Sequence, residues 1–176
     1  MKKILIVVDM QNDFIDAALG TKEAVAIVDN VVKKINDFDG EIFVTMDTHF
    51  DNYMDTSEGK NLPVPHCIEN TEGWQLNPKV KAALNKKRHK IIQKMTFGSV
   101  DLPSVIAGKL GWVDLDIELV GLCTDICVVS NALILKAYFK EANMTVDASC
   151  CAGVTVEKHK AALETMKSCQ INVINE

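Results

Sequence analysis

The sequence predicts a three-layer, Rossmann-like α/β protein in which helices cover both faces of a six-stranded parallel sheet. Two observations lead to this class. Short β-branched runs alternate with helical segments along the chain, which is the pattern of consecutive strand–helix units. The strand segments are also continuously apolar, as expected for a parallel sheet that is buried on both faces.

The strands are predicted from the apolar runs. The first run, residues 3–8, is cut off by Asp9 and is too short for a signal peptide. The other strands are predicted at residues 41–46, 89–93, 115–120, 144–148 and 171–174. Residues 47–77 lack a periodic pattern, and an irregular stretch of this length inside a compact domain is usually functional.

The helices are predicted from apolar positions that recur every three or four residues. This period is clearest over residues 23–38, and Asp101 with Pro103 starts a helix that ends near Gly111. Further helices are predicted at residues 79–84, 124–141 and 156–168. The helix after residue 124 is apolar almost all round, which predicts burial or a subunit interface. With Trp112, its residues 126–138 lead us to expect a homo-oligomer.

Length and charge narrow the class of protein. A chain of 176 residues suits a single domain over residues 1–176. The net charge of −5 argues against nucleic acid or an anionic membrane as a partner. No segment approaches the roughly 20 apolar residues of a membrane span, so we expect a cytoplasmic protein with reduced cysteines. A dinucleotide-binding domain is disfavoured because no GxGxxG pattern follows the first strand.

Polar side chains follow four successive strands. Asp9 comes after the first strand, Asp47 and His49 after the second, Lys94 after the third, and the segment ending in Cys127 after the fourth. Because ligands of open α/β sheets bind beyond the carboxyl ends of the strands, this placement predicts an active site. Taken singly, each residue has a plainer interpretation: a turn cap for the aspartate, a solvated lysine and a core cysteine.

Three of these residues fit nucleophilic acyl transfer. The thiol of Cys127 stands in the first turn of a helix, where partial positive charge lowers a cysteine pKa. Asp9 would accept its proton, and Lys94 would hold the thiolate and the carboxylate together. Backbone N–H groups at the helix start would bind an oxyanion.

A second group of residues predicts a metal site that binds one divalent ion. Asp47 and His49 point to the same side of an extended segment, and His66 returns between prolines. Two histidines and a carboxylate are typical of an open catalytic site and suit zinc, with iron or manganese as alternatives. Glu58 is either a fourth ligand or a solvated acid, and surface histidines remain the plainer alternative.

Four ordered motifs resemble one family over the whole chain. They are Val8-Asp9-Met10-Gln11-Asn12-Asp13-Phe14, Asp47-Thr48-His49 with His66-Cys67, Lys94 with Phe97-Gly98, and Gly121-Leu122-Cys123-Thr124-Asp125-Ile126-Cys127-Val128. Together they are similar to the isochorismatase-like cysteine hydrolases of the nicotinamidase/pyrazinamidase branch. The resemblance implies the strand order 3-2-1-4-5-6 and the triad Asp9, Lys94 and Cys127.

The resemblance also implies details of the site. A non-proline cis peptide would precede Cys123, and the backbone amides of Cys123 and Cys127 would form the oxyanion hole. Asp47, His49 and His66 would hold the metal, and Phe14 would contact the substrate ring. The implied reaction is deamidation of a small carboxamide, with nicotinamide favoured, through a cysteine thioester.

Alternatives remain open at this point. Leu62-Pro63-Val64-Pro65 stands where family members often carry an aromatic residue before the second metal histidine. A related hydrolase of another amide, carbamoyl or vinyl-ether substrate therefore stays as a second interpretation. A binding module that retains the fold without catalysis is a third.

Overall fold

The predicted six-stranded parallel sheet is confirmed. The computed structural model describes residues 1–111 and 114–176. In this part of the chain the sheet has the order β3-β2-β1-β4-β5-β6, with neighbouring strands parallel. The strands are β1 (Lys2–Val8), β2 (Glu41–Asp47), β3 (His89–Lys94), β4 (Leu115–Leu122), β5 (Asn143–Ala152) and β6 (Asn172–Ile174).

Helices cover the two faces of the sheet. In chain order they are α1 (Asn12–Ile15), α2 (Lys22–Asp37), α3 (Ser57–Asn61), α4 (Pro78–Leu84), α5 (Leu102–Leu110), α6 (Val129–Tyr138) and α7 (Val156–Ser168). One apolar cluster contains residues of α1, α2 and α4, and the other contains residues of α5, α6 and α7. No helix in the described part is long and apolar enough to cross a bilayer.

The continuous apolar run of β1 contributes side chains to both clusters. Residues 4–8 are fully buried, and Ile4 and Ile6 pack in the cluster with α5 to α7. Leu5 and Val7 face the opposite way, into the cluster with α1, α2 and α4. This arrangement explains why the strand reads as an unbroken hydrophobic segment.

Three predicted elements differ from the structure. The helix predicted over residues 124–141 begins as a π-helical turn, Thr124–Val128, and its α-helical part ends at Tyr138. β5 runs on to Ala152 because its apolar run continues through Cys150 and Cys151, which are buried. The stretch predicted as irregular contains α3 and a 3₁₀ turn, Tyr53–Asp55. Trp112 lies outside the described residues, and the homo-oligomer stays a prediction.

The strands β1 and β4 lie close together at Gly121, which pairs with Val8. Its φ is +121°, and a Cβ atom there would lie 2.1 Å from the Val8 carbonyl oxygen. Only glycine meets both conditions without strain. The approach places Asp9, the residue after β1, beside the segment that leads to Cys127.

Candidate active site

Lys94 lies at the centre of the site, at the carboxyl end of β3. Its side chain is almost fully buried, and its Nζ atom is 2.7 Å from Asp9 Oδ2 and 3.1 Å from Asp47 Oδ1. The same Nζ is 3.6 Å from the Sγ atom of Cys127. The structure thus brings together the four side chains that the sequence placed after four different strands.

Asp9 is held in place by the neighbouring strand. Its backbone has a φ of +47°, and its N–H donates to the carbonyl of Thr45 at 3.1 Å. The Thr45 hydroxyl donates to Asp9 Oδ1 at 2.7 Å, while Oδ2 faces Lys94. Burial raises the pKa of Asp9, Lys94 opposes this shift, and the charge of Asp47 adds to it. The result is a carboxylate more basic than usual.

The protonation of Lys94 and Cys127 follows from the same contacts. Burial lowers the pKa of Lys94, but Asp9, Cys127 and Asp47 outweigh it, so that the pKa is raised and the ammonium persists. The pKa of Cys127 is also well above its usual value, first because the thiol is buried and second because Asp9 faces it. The lowered pKa expected from the helix start is therefore wrong for this thiol.

The turn that carries Cys127 is closed by backbone hydrogen bonds. The carbonyl of Cys123 accepts from the amides of Ile126 and Val128 at 3.1 and 3.0 Å. The peptide between Leu122 and Cys123 is cis, as the resemblance implied. Cys123 and Cys127 therefore stand at opposite ends of one short, closed turn, and their oxyanion-hole role stays a prediction.

A compact group of possible metal ligands lies next to Lys94. One ligand atom from each of Asp47, His49, Glu58 and His66 lies within 4.8 Å of the others. His49 Nε2 is 3.1 Å from Asp47 Oδ2, and Glu58 Oε1 is 3.6 Å from the Nε2 atoms of both histidines. Glu58, which the sequence left open, thus joins the other three.

The donor chemistry fits a divalent metal. The Nδ1 atom of His66 lies 2.8 Å from the carbonyl of Val64, which can only accept, so Nδ1 carries the hydrogen. In the neutral ring, Nε2 then directs its lone pair at the group, as metal-binding histidines do. Burial raises the pKa of Asp47, but the neighbouring imidazoles of His49 and His66 and the charge of Lys94 lower it overall. Ionised carboxylate and neutral imidazole are the forms that bind zinc, iron or manganese.

Buried polar side chains that the sequence analysis did not single out support this group. Gln11 is fully buried, and its amide accepts from the Asp47 N–H and donates to the Asp47 carbonyl, both at 2.8 Å. Asp13 accepts from the backbone N–H of Cys67 at 2.7 Å, directly after His66. Both lie in the Asp9 motif, which was the available signal for them.

Aromatic rings surround the two histidines. The ring of Tyr53 lies 4.8 Å from that of His49 and 5.1 Å from that of His66, between centroids. Tyr53 is buried, and burial followed by the charges of Glu58 and Asp47 raises its pKa to about 12. Phe14 lies 5.4 Å from the ring of His66 and packs in the cluster beneath it. The predicted substrate contact of Phe14 stays a prediction.

A cleft of about 720 Å³ opens over the metal-ligand group. It reaches from Glu58 to Ile126, the residue before Cys127. Two aromatic side chains that line the cleft, Phe50 and Phe97, are 45% and 48% exposed to solvent. The cleft thus has aromatic rings from other segments, although the segment before His66 carries none.

The doubly wound sheet with this site at its carboxyl edge defines an open-sheet α/β protein whose ligand site lies beyond the strand ends. A model of the isochorismatase domain matches residues 3–176. The chain belongs to the isochorismatase family.

Relatives and solved structures of this family resemble the chain over most of its length. An uncharacterized isochorismatase family protein, PncA of Bacillus subtilis, is 29% identical over 177 positions, covering 93% of each chain. A nicotinamidase/pyrazinamidase of Mycobacterium tuberculosis is 26% identical over 98% of each chain. The crystal structure of nicotinamidase/pyrazinamidase PncA from Bacillus subtilis has a TM-score of 0.85 at 27% identity and covers 99% of this chain and 100% of its own.

Proposed function

We propose that the protein is a metal-containing cysteine amidohydrolase that converts nicotinamide into nicotinate and ammonia. One observation carries the proposal. The ammonium of Lys94 contacts Asp9 and Asp47 and lies 3.6 Å from the Cys127 sulfur, so it joins a thiol–carboxylate pair to a metal-ligand group. A relative named as a nicotinamidase/pyrazinamidase supports the choice of substrate.

The first half of the reaction uses Asp9 as the proton acceptor. The raised pKa of Asp9 makes its carboxylate a better proton acceptor, whereas the raised pKa of Cys127 disfavours a free thiolate, so the proton passes to Asp9 as the sulfur attacks the carboxamide carbon. Backbone amides of Cys123 and Cys127 donate to the oxyanion. The C–N bond then breaks, and Asp9 returns the proton to the nitrogen, which leaves as ammonia.

The second half of the reaction hydrolyses the thioester. Asp9 takes a proton from water, and the resulting hydroxide attacks the thioester carbon while the C–S bond breaks. The carboxylic acid leaves and Cys127 recovers its proton. Lys94 stays protonated throughout, because its raised pKa reflects the negative charges of Asp9, Cys127 and Asp47 around it.

Asp47, His49 and His66 would hold the metal, with Glu58 as a further ligand. When bound, a divalent ion supplies a Lewis-acid contact for the ring nitrogen of a pyridine carboxamide. The exposed rings of Phe50 and Phe97 line the cleft beside this group and would contact the substrate ring.

The test measures ammonia release by pure, metal-loaded protein. Nicotinamide and pyrazinamide should be hydrolysed, and benzamide, which lacks the ring nitrogen, should be a much poorer substrate. Absence of turnover on both pyridine-type amides would refute the substrate assignment.

The roles of the cysteines are separable by substitution. Cys127→Ala should abolish turnover, whereas Cys123→Ala should stay near wild type because only its backbone amide is used. Cys169→Ala, at an exposed position, is the matched control. Activity in Cys127→Ala would refute the thioester mechanism, and loss of activity in Cys123→Ala would mean that the two roles are exchanged.

A further inference from the structure

Asn131 is a buried amide in the helix that follows the nucleophile turn. It lies in α6, four residues after Cys127, and none of its side chain is accessible. Asparagine is a poor residue for a helix interior, and a buried amide costs free energy unless its polar atoms find partners. The polar atoms of the Asn131 side chain therefore need hydrogen-bond partners that offset the free-energy cost of burial.

The amide of Asn131 makes three hydrogen bonds to backbone groups. Its Nδ2 donates to the carbonyl of Cys127 at 2.8 Å and to the carbonyl of Phe97 at 3.3 Å. Its Oδ1 accepts from the N–H of Ser99 at 2.9 Å. One side chain therefore bridges the nucleophile turn and the segment that follows β3.

This segment, residues 95–101, is called the Phe97 loop. It directly follows Lys94 and places Phe97 in the wall of the cleft. The loop lies flush on α6, because a Cβ atom on Gly98 would be 2.5 Å from Ile134 Cδ1 and 3.2 Å from the Ser130 backbone. The Phe97 loop is therefore seated on α6 with no space between them.

We propose that Asn131 is a positioning residue that holds the nucleophile turn and the aromatic wall of the cleft in a fixed position relative to each other. Its bond to Cys127 orients the turn that carries the thiol, and its bonds to Phe97 and Ser99 anchor the wall against which the substrate ring packs. The inference rests on the proposed function and assigns Asn131 no contact with the substrate.

Two variants separate the two halves of this role. Asn131→Ala removes all three bonds and should lower kcat/KM about tenfold to hundredfold, with effects on both kcat and KM. The Asn131→Thr hydroxyl can donate to the carbonyl four residues back but is too short to reach the Phe97 loop. This variant should keep kcat within about threefold of wild type and raise KM about tenfold.

The control is Asn30→Ala. Asn30 lies on α2, away from the cleft, and its amide donates to the backbone carbonyl of Ser149. This variant should leave both constants within about twofold. Wild-type values of kcat/KM and KM in the Asn131 variants would overturn the proposal. If Asn131→Ala does not fold, an unchanged KM in Asn131→Thr alone overturns it.

A second readout separates this proposal from the proposed function. If the wild type hydrolyses no carboxamide, the proposed function fails, but iodoacetamide still reports on the thiol. Peptide mapping should show that Asn131→Ala changes the alkylation rate of Cys127, relative to the exposed Cys169, by about threefold or more. An unchanged ratio in a folded variant would refute the positioning role by itself.

Discussion

The side-chain amide of Gln11 forms hydrogen bonds with both the backbone N–H and the backbone carbonyl of Asp47. Its Oε1 accepts from the Asp47 N–H and its Nε2 donates to the Asp47 carbonyl, each at 2.8 Å. The two residues are separated by 36 positions in the chain, and the pairing sets the direction in which the Asp47 carboxylate leaves β2.

Metal affinity should therefore depend on Gln11. We expect Gln11→Ala to weaken binding of zinc about tenfold to hundredfold, since outer contacts orient the ligand carboxylate. Competition with a chromophoric chelator measures the affinity. Gln93→Ala, at an exposed position on β3, is the control and should bind zinc as the wild type does. Equal affinities in the two variants would contradict this role.

Removal of the metal should lower both stability and activity. Thermal unfolding of chelator-treated protein should occur at a lower temperature than that of zinc-loaded protein, and the difference should grow with free zinc. His66→Ala should abolish this dependence, whereas Glu58→Gln, which keeps an oxygen donor, should reduce it less. Glu72→Gln, at an exposed position, should leave it unchanged. A zinc effect that survives in His66→Ala would reject the assigned site.

The close approach of β1 and β4 predicts that Gly121 does not tolerate a side chain. Gly121→Ala should destabilise the protein by about 2 kcal/mol or more, because the new Cβ meets the Val8 carbonyl and φ is positive. Gly108→Ala is a sharp control, since no atom lies within 4 Å of its Cβ position in α5. That variant should gain roughly 0.5–1 kcal/mol. Urea unfolding measures both values.

A partly exposed ion cluster around Lys34, away from the site, predicts a pH-dependent stability. Lys34 Nζ lies 2.8 Å from Asp147 Oδ2 and 2.6 Å from Glu118 Oε1. Burial raises the pKa of Asp147, but hydrogen bonds from Lys34 and Ser149 lower it overall. A lowered folded-state pKa contributes stability that is present above the unfolded-state pKa of about 3.9 and is lost as pH falls through the folded value.

Asp147→Asn should therefore be less stable than the wild type by about 1–2 kcal/mol at pH 7. The difference should shrink as the pH falls below about 4, because the Asp147 carboxyl of the unfolded wild type then binds a proton while the folded carboxylate, with its lowered pKa, still resists protonation. Urea unfolding from pH 7 to pH 3 follows it. Asp29→Asn breaks the exposed pair with Lys79 and should show no such trend. A constant difference across this range would contradict the argument.

The sheet and the residues at its edge were predictable because both depend on local patterns. Apolar runs mark the strands, and the side chain that follows each run lies at the common carboxyl edge, as Lys94 does. The family resemblance supplied the strand order, which local patterns do not contain.

The supporting residues were not predictable in the same way. Tyr53 lies in a stretch without periodicity, so no pattern places its ring against His49 and His66. Asn131 lies within an apolar helical pattern, and its partners Phe97 and Ser99 come from another part of the chain. The raised pKa of Cys127 depends on complete burial opposite Asp9, which outweighs the effect of its position in a helix.

The contacts of Lys94 also have an electrical consequence for the whole cleft. Three carboxylates lie at this edge of the sheet: Asp9 and Asp47 contact the ammonium of Lys94, and Glu58 lies beside the two histidines. Two negative charges are left without a fixed counter-charge. A doubly charged cation neutralises this deficit, and a singly charged one leaves half of it. The charge balance at this edge of the sheet therefore favours a divalent over a monovalent ion, and ionic charge joins ligand type as a ground for metal preference at the group of Asp47, His49, Glu58 and His66.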